Sequence, residues 1–258
     1  MLIDTHCHIS KDDYDDIDKI IEDDFKEVDK IIISGCSKKD IIESLEIAEK
    51  NENIFVTIGY HPDQVDVVSD EDLLFLEEKC KNIKVVGIGE IGLDYHYVDD
   101  NRDEQIALFE KQLCLAEKLN MPVVIHSRDA TKDTIDTLKK YKVTGVIHAF
   151  SGSIETANIY ISMGFLIGIG GVVTFKNSSA QEARQISAFA LSFQSLAGML
   201  IFSQRYSVPF PFRIRVFCLP SVPSAGIRYC IVPSRSLGSY TGMAGSNIAL
   251  PSLSLELA

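Results

Sequence analysis

Through its first 176 residues this chain alternates between two hydrophobic periods. Short apolar, β-branched runs occur at residues 2–3, 28–34, 55–59, 85–89, 123–125, 145–147 and 165–169. Between them lie stretches of helical period at 14–25, 39–50, 71–80, 102–119, 130–141 and 154–163, and Asp70 and Ser153 are placed to cap two of these helices. Strands joined through helices pair parallel, because the helix makes the crossover. Seven such units in one series predict an α/β fold, a TIM (β/α)8 barrel incomplete at its C-terminal end, in preference to an open doubly wound sheet. No glycine-rich phosphate fingerprint follows the first strand, which argues against a dinucleotide site.

The alternation stops near residue 177. The last 82 residues hold six Arg, no Lys, no Asp and two Glu, with 15 Ser and six of the eight Pro. Those prolines cut the tail into pieces too short for long helices, apart from one amphipathic stretch at 181–196. The expected division is therefore a barrel over 1–177 and an aberrant Ser/Pro/Arg-rich tail over 178–258. A second domain or a linker could produce such a break. Loss of Lys and Asp together, with a rise in Ser, Pro and Arg, is rather what a frameshifted or disordered stretch shows.

With 258 residues, 46% apolar and 24% charged, the chain can bury a sizeable core. No apolar run is long enough to span a bilayer, and no signal-peptide pattern opens the chain. A cytoplasmic monomer with no membrane association is the expectation. Its six cysteines would then be reduced, and none forms a C-x-x-C pair. A net charge of −12 argues against a broad phosphate-binding surface but not against a nucleic-acid substrate, since a metal site brings its own positive charge.

The six histidines fall in one register. His6 and His8 follow the first strand, His61 the third, His126 the fifth and His148 the sixth, while His96 lies just beyond the fourth. Alone, His6-Cys7-His8 reads equally as a chelating pair on one strand face or as two polar residues on the wet side of an edge strand. In a parallel barrel all C-terminal strand ends meet at one mouth, and structural histidines would not all choose that position. Glu90 ends the fourth strand and is the acidic residue suited to bridging two cations. Imidazoles with a bridging carboxylate suit borderline divalent ions, and a two-metal site activates water at neutral pH and clamps both oxygens of an in-line displacement. The chemistry that follows is metal-assisted hydrolysis.

Five segments carry a resemblance: Thr5-His6-Cys7-His8, Gly59-Tyr60-His61-Pro62, Gly89-Glu90-Ile91-Gly92-Leu93-Asp94-Tyr95, Pro122 through Arg128, and His148-Ala149-Phe150-Ser151-Gly152. Over residues 1–177 the chain resembles the TatD family of metal-dependent deoxyribonucleases, within the amidohydrolase-like TIM barrels. The resemblance implies a two-metal phosphodiesterase that trims single-stranded DNA from the 3′ end, with Mg²⁺, Mn²⁺ or Zn²⁺. It implies that His6 and His8 hold one metal, His126 and His148 the second, and that Glu90 bridges. It puts His61 and Arg128 near the substrate phosphate, so that Glu90, His61 and Arg128 are the expected catalytic residues. Asp94 is open between the substrate, a ligand histidine and a loop cap. Tyr60 and Tyr95 could stack on bases or simply line the rim.

The chain departs from that family at one place. The family carries an Asp at the end of the eighth strand, whereas Asp136 is the last aspartate here and only Glu182 and Glu256 are acidic beyond residue 177. Weak or absent turnover is the expectation for this chain. Two rivals stand beside the nuclease: an amide, ester or lactone hydrolase of the same architecture, and a non-catalytic truncated barrel that binds metal. Glu90 stands where the former often carry a bridging lysine, which favours the nuclease.

Overall fold

The apolar runs become strands in a computed structural model, which describes residues 3–26, 28–96, 100–168 and 200–201. The strands are β1 (Ile3–Cys7), β2 (Lys30–Gly35), β3 (Ile54–Ile58), β4 (Val85–Asp94), β5 (Val123–Arg128), β6 (Gly145–Ile147), β7 (Leu166–Gly168) and β8 (Leu200–Ile201). They form one sheet in chain order, each paired parallel to the next. A doubly wound sheet would reverse its order at a switch point. Here every crossover moves one place in the same direction, as in a (β/α) barrel. The crossovers are α1 (Ile17–Phe25), α2 (Lys38–Lys50), a single 3₁₀ turn (Pro62–Gln64) with α3 (Asp70–Lys79), α4 (Arg102–Leu119), α5 (Thr131–Leu138) and α6 (Ile154–Ser162). Among the described residues no β8–β1 pairing closes the ring.

The core lies between this sheet and the helices. Ile31, Ile33, Val56, Ile58, Ile88 and Ile125 are buried from the strands; Ile41 and Ala48 from α2 and Phe109 and Leu113 from α4 cover them. Burial of each large aliphatic side chain contributes about 1.5–3 kcal/mol against the entropy of ordering the chain. No helix among the described residues is long and apolar enough to cross a membrane.

Several expected boundaries move, and each shift has a local cause. Ser69, not Asp70, caps α3: its hydroxyl accepts from the Asp72 N–H while the Asp72 carboxylate accepts from the Ser69 N–H. Asp70 is the first helical residue, where a carboxylate suits the helix dipole. Ser153 caps α6 as expected. Helix α1 begins at Ile17, with the Asp16 carboxylate accepting from Lys19. Strand β4 continues past residue 89 to Asp94, pairing with β5 through Arg128. The eighth strand, unrecognised from sequence, is two residues long and too short to show a period. The stretch expected to be helical at 181–196, and the tail from 178 apart from Leu200–Ile201, lie outside the described residues.

Candidate metal centre

Five of the strand-end residues meet at one carboxylate. Glu90 Oε2 lies 3.2 Å from His6 Nε2 and 3.6 Å from His8 Nε2. Its other oxygen, Oε1, lies 2.7 Å from His126 Nδ1, 2.5 Å from His148 Nε2 and 3.9 Å from His61 Nε2. Two donor groups result, His6–His8–Glu90 and His61–Glu90–His126, each with its ligand atoms within 4.8 Å of one another. Glu90 is common to both. His148 joins the second, its Nε2 being 3.2 Å from His126 Nδ1.

Local structure explains this convergence. His6 is the last residue but one of β1 and His8 follows just beyond its end, so both rings project from the same side of the strand. Gly92 lies opposite His126 in the β4–β5 register, with φ at +147°; a Cβ there would run into the His126 carbonyl oxygen. The glycine lets the two strands approach and brings Glu90 beneath His126.

Three of the histidines that face Glu90 with one nitrogen, His8, His61 and His126, have a partner for the other. His8 Nδ1 lies 3.2 Å from the Ser34 carbonyl, which as an acceptor requires Nδ1–H and leaves Nε2 to face His6. His126 Nε2 lies 3.0 Å from Asp94 Oδ2. His61 Nδ1 lies 2.9 Å from Asp63 Oδ1. The Asp63 N–H also approaches that nitrogen, at 3.4 Å, but the shorter carboxylate contact governs the ring. His148 stacks on His6 with ring centroids 4.4 Å apart.

Electrostatics inside the cluster are set by burial and by the single carboxylate. Burial opposes charge on Glu90, but His148 and the hydrogen bonds from the surrounding rings hold its carboxyl well below the usual range. Burial, then the neighbouring His148, lowers His6 to about 4. Burial also opposes a proton on His126, yet Asp94 and then Glu90 outweigh it and raise the ring to about 9. On His8 the hydrogen bond to Glu90 overcomes burial and raises the pKa.

This donor set fits divalent cations. Two imidazole Nε2 atoms, of His6 and His8, face each other at 3.2 Å; without a cation they must share a proton or oppose lone pairs. A second pair, His126 Nδ1 and His148 Nε2, repeats that crowding on the far oxygen of Glu90. Soft-to-borderline nitrogen donors with one hard carboxylate suit Zn²⁺ or Mn²⁺, and Mg²⁺ less well. No carboxylate comes from the eighth strand, since residues 200–208 contain neither Asp nor Glu.

Other expected site residues fall differently. Arg128 ends β5, exposed, and its charge helps keep Asp94 ionised. Tyr95 is buried: its hydroxyl donates to Asp133 Oδ2 at 3.1 Å and the Arg102 guanidinium covers its ring at 4.6 Å. Tyr60 is buried as well, its hydroxyl donating to the Asp72 carbonyl. Neither ring has an open face for a base, so the stacking role considered for them does not fit. His96 stands apart from the cluster, exposed, against Asp129. Cys7 is fully buried, on the strand face opposite to His6 and His8.

Three residues at this site carried no functional signal in the sequence. Cys36, just past β2, has its sulfur 3.9 Å from both His8 Nδ1 and Glu90 Oε2; burial, then Glu90, keeps it a thiol. Gln105 and Gln112 on α4 are buried and hold the backbone at the ends of β4 and β3. Their seven-residue spacing puts both on the helix face of Leu108, Phe109 and Leu113.

A family model described as "TatD related DNase" matches residues 3–192. An uncharacterized metal-dependent hydrolase of Bacillus subtilis (strain 168), YabD, is 39% identical over 183 residues, covering 69% of this chain and 72% of that protein. The crystal structure of YjjV, a TatD homolog from Escherichia coli K12, superposes with a TM-score of 0.61 at 30% identity, over 70% of this chain and 72% of that one. A TatD family hydrolase from Entamoeba histolytica gives a TM-score of 0.65 at 26% identity, over 79% of this chain and 73% of that one.

Proposed function

Because the chain belongs to the TatD family of metal-dependent hydrolases, we propose that it hydrolyses phosphodiester bonds of single-stranded DNA, working inward from the 3′ end as a cytoplasmic monomer. The observation that carries this reading is the placement of Glu90, with His6 and His8 on one carboxylate oxygen and His126, His148 and His61 on the other.

In this reading His6, His8 and Glu90 hold one divalent cation, and Glu90, His126 and His148 hold a second. When bound, such cations supply Lewis acidity toward a phosphoryl oxygen and lower the pKa of water toward neutrality. The chain's own groups do the rest. Glu90 stays ionised and keeps the two subsites at a fixed separation. His61, held by Asp63 through Nδ1, turns Nε2 toward Glu90 and lines the place where the phosphate would sit. Arg128, at the neighbouring strand end, offers a planar pair of donors that matches a phosphate.

The charge of the rim narrows the substrate. Loops at the same mouth carry exposed Asp12, Asp13, Asp15 and Asp16 after β1, and Asp63 and Asp66 after β3, against Lys11 and against Lys39, which pairs with Asp12. A long duplex laid across that rim would be repelled; a strand end entering the mouth meets the cations first. The missing strand-8 carboxylate leaves one fewer group to orient the attacking water, and turnover should be low.

The test is an end-labelled single-stranded oligonucleotide and a lactone, each incubated with the full chain and added Mg²⁺, Mn²⁺ or Zn²⁺. A metal-dependent ladder of shortened strands, lost in Glu90→Gln, is the expected result. Lactone turnover with intact oligonucleotide would overturn the nuclease reading in favour of a carbon-centred hydrolase. Bound metal with no turnover of either would mark the chain as a non-catalytic barrel.

A further inference from the structure

We propose that Asp94 is a positioning residue that presents His126 Nδ1 to the metal site, and that Gln105 on α4 holds Asp94 in place for this task. The inference rests on His126 being a metal ligand and is independent of the substrate.

Asp94 is the last residue of β4, four places beyond Glu90. Its Oδ2 lies 3.0 Å from His126 Nε2, and its Oδ1 accepts the His96 N–H at 2.9 Å. Both carboxylate oxygens are thus engaged by this chain's own groups. The backbone is fixed as firmly. The Asp94 N–H donates to Gln105 Oε1 at 2.9 Å, and Gln105 Nε2 donates back to the Asp94 carbonyl at 2.9 Å. Gln105 is only 1% exposed, and its Nε2 also donates to Asn101 Oδ1 at 2.9 Å. A buried amide with this many partners has one orientation.

The consequence falls on the imidazole. A carboxylate accepts only, so the His126 nitrogen facing Asp94 carries a hydrogen. With that hydrogen kept on Nε2, Nδ1, 2.7 Å from Glu90 Oε1, is the nitrogen left to give its lone pair to a cation. Without Asp94 the ring could exchange tautomers or turn, and either change removes Nδ1 as a donor. Outer partners of this kind fix tautomer and raise ligand basicity, and their loss costs about 10–100-fold in metal affinity.

The experiment compares the full chain with Asp94→Ala, Asp94→Asn and Gln105→Leu. Zn²⁺ affinity is measured by competition with a chromophoric chelator, and kcat and KM on an oligonucleotide wherever turnover is detectable. Asp94→Ala should weaken Zn²⁺ binding about 10–100-fold. Asp94→Asn, whose amide oxygen can still accept from Nε2–H, should recover much of that loss. Gln105→Leu should fall between them, and kcat should drop with KM little changed. Zn²⁺ affinity equal to wild type in Asp94→Ala, or a rise confined to KM, would overturn the proposal and make Asp94 a substrate contact. Should Asp94→Ala fail to fold, the near-isosteric Asn variant and Gln105→Leu decide the matter by the same affinity. A wild-type chain that binds no Zn²⁺ would overturn this inference and the metal centre together, whereas Zn²⁺ binding without nuclease activity leaves this inference standing.

Discussion

Gln112 and Tyr60 are joined twice across the interface between α4 and the end of β3. The side-chain oxygen of Gln112 accepts the Tyr60 N–H at 2.7 Å, and its amide nitrogen donates to the Tyr60 carbonyl at 2.9 Å. Both residues are buried, so neither backbone group has water as an alternative. The next residue is His61, whose ring faces Glu90. Gln112→Leu should destabilise the chain by about 2–4 kcal/mol, because it leaves a buried donor and a buried acceptor unpaired. Urea unfolding read by circular dichroism measures the change. A loss under about 0.5 kcal/mol, the size of a surface change, would mean that the strand end relaxes to water.

Glu90→Gln should empty both subsites and not one. The amide keeps the shape but loses the charge that stands between four rings. Metal content per chain, measured after dialysis by inductively coupled plasma mass spectrometry, should fall to about a tenth or less of wild type, in line with loss of a buried charged partner. Retention of half the metal would show that one subsite is complete without the carboxylate.

The pH dependence of the metal-free chain follows from His126. Its folded pKa is raised from 6.5 to about 9, by Asp94 and Glu90 against burial. The stabilisation from that proton is fully present below about pH 6.5 and is lost as the pH rises through about 9. Cations compete for the same ring, so metal affinity should move the opposite way, rising with pH until about 9 and then levelling. Chelator-treated protein unfolded at a series of pH values, beside zinc titrations at the same pH, gives both curves. Parallel trends would contradict the assignment of that proton to His126.

The acidic rim predicts an unusual salt response. Between about 10 mM and 150 mM salt the screening length falls from about 30 Å to about 8 Å, which weakens repulsion between rim and strand. Oligonucleotide kcat/KM should therefore rise over this range, where a basic cleft would show a fall. A falling curve would place a basic surface at the mouth and remove the argument for strand-end entry.

The sequence revealed most where one signal did one job. Alternating periods gave the strand order, and histidines at successive strand ends gave the cluster. It revealed less where a polar residue sits inside an element. The apolar run of β1 ends at Ile3, because Asp4, Thr5 and His6 interrupt it, and that of β4 at residue 89, because Glu90 and Asp94 belong to it as strand residues. Tyr60 and Tyr95 beside ligand motifs suggested contact with bases, yet burial and their hydroxyl partners Asp72 and Asp133 turn them into scaffold. Gln105 and Gln112 were invisible as functional residues since a glutamine in a helix is usually solvated. Only the packed structure shows that water is excluded there.

A single buried carboxylate shared by four imidazoles has a consequence for occupancy. A dication brings two positive charges, and Glu90 can answer only one of them. A second ion would be held by neutral nitrogens against a like-charged neighbour, more weakly than the first, and an anion entering the mouth would tighten it.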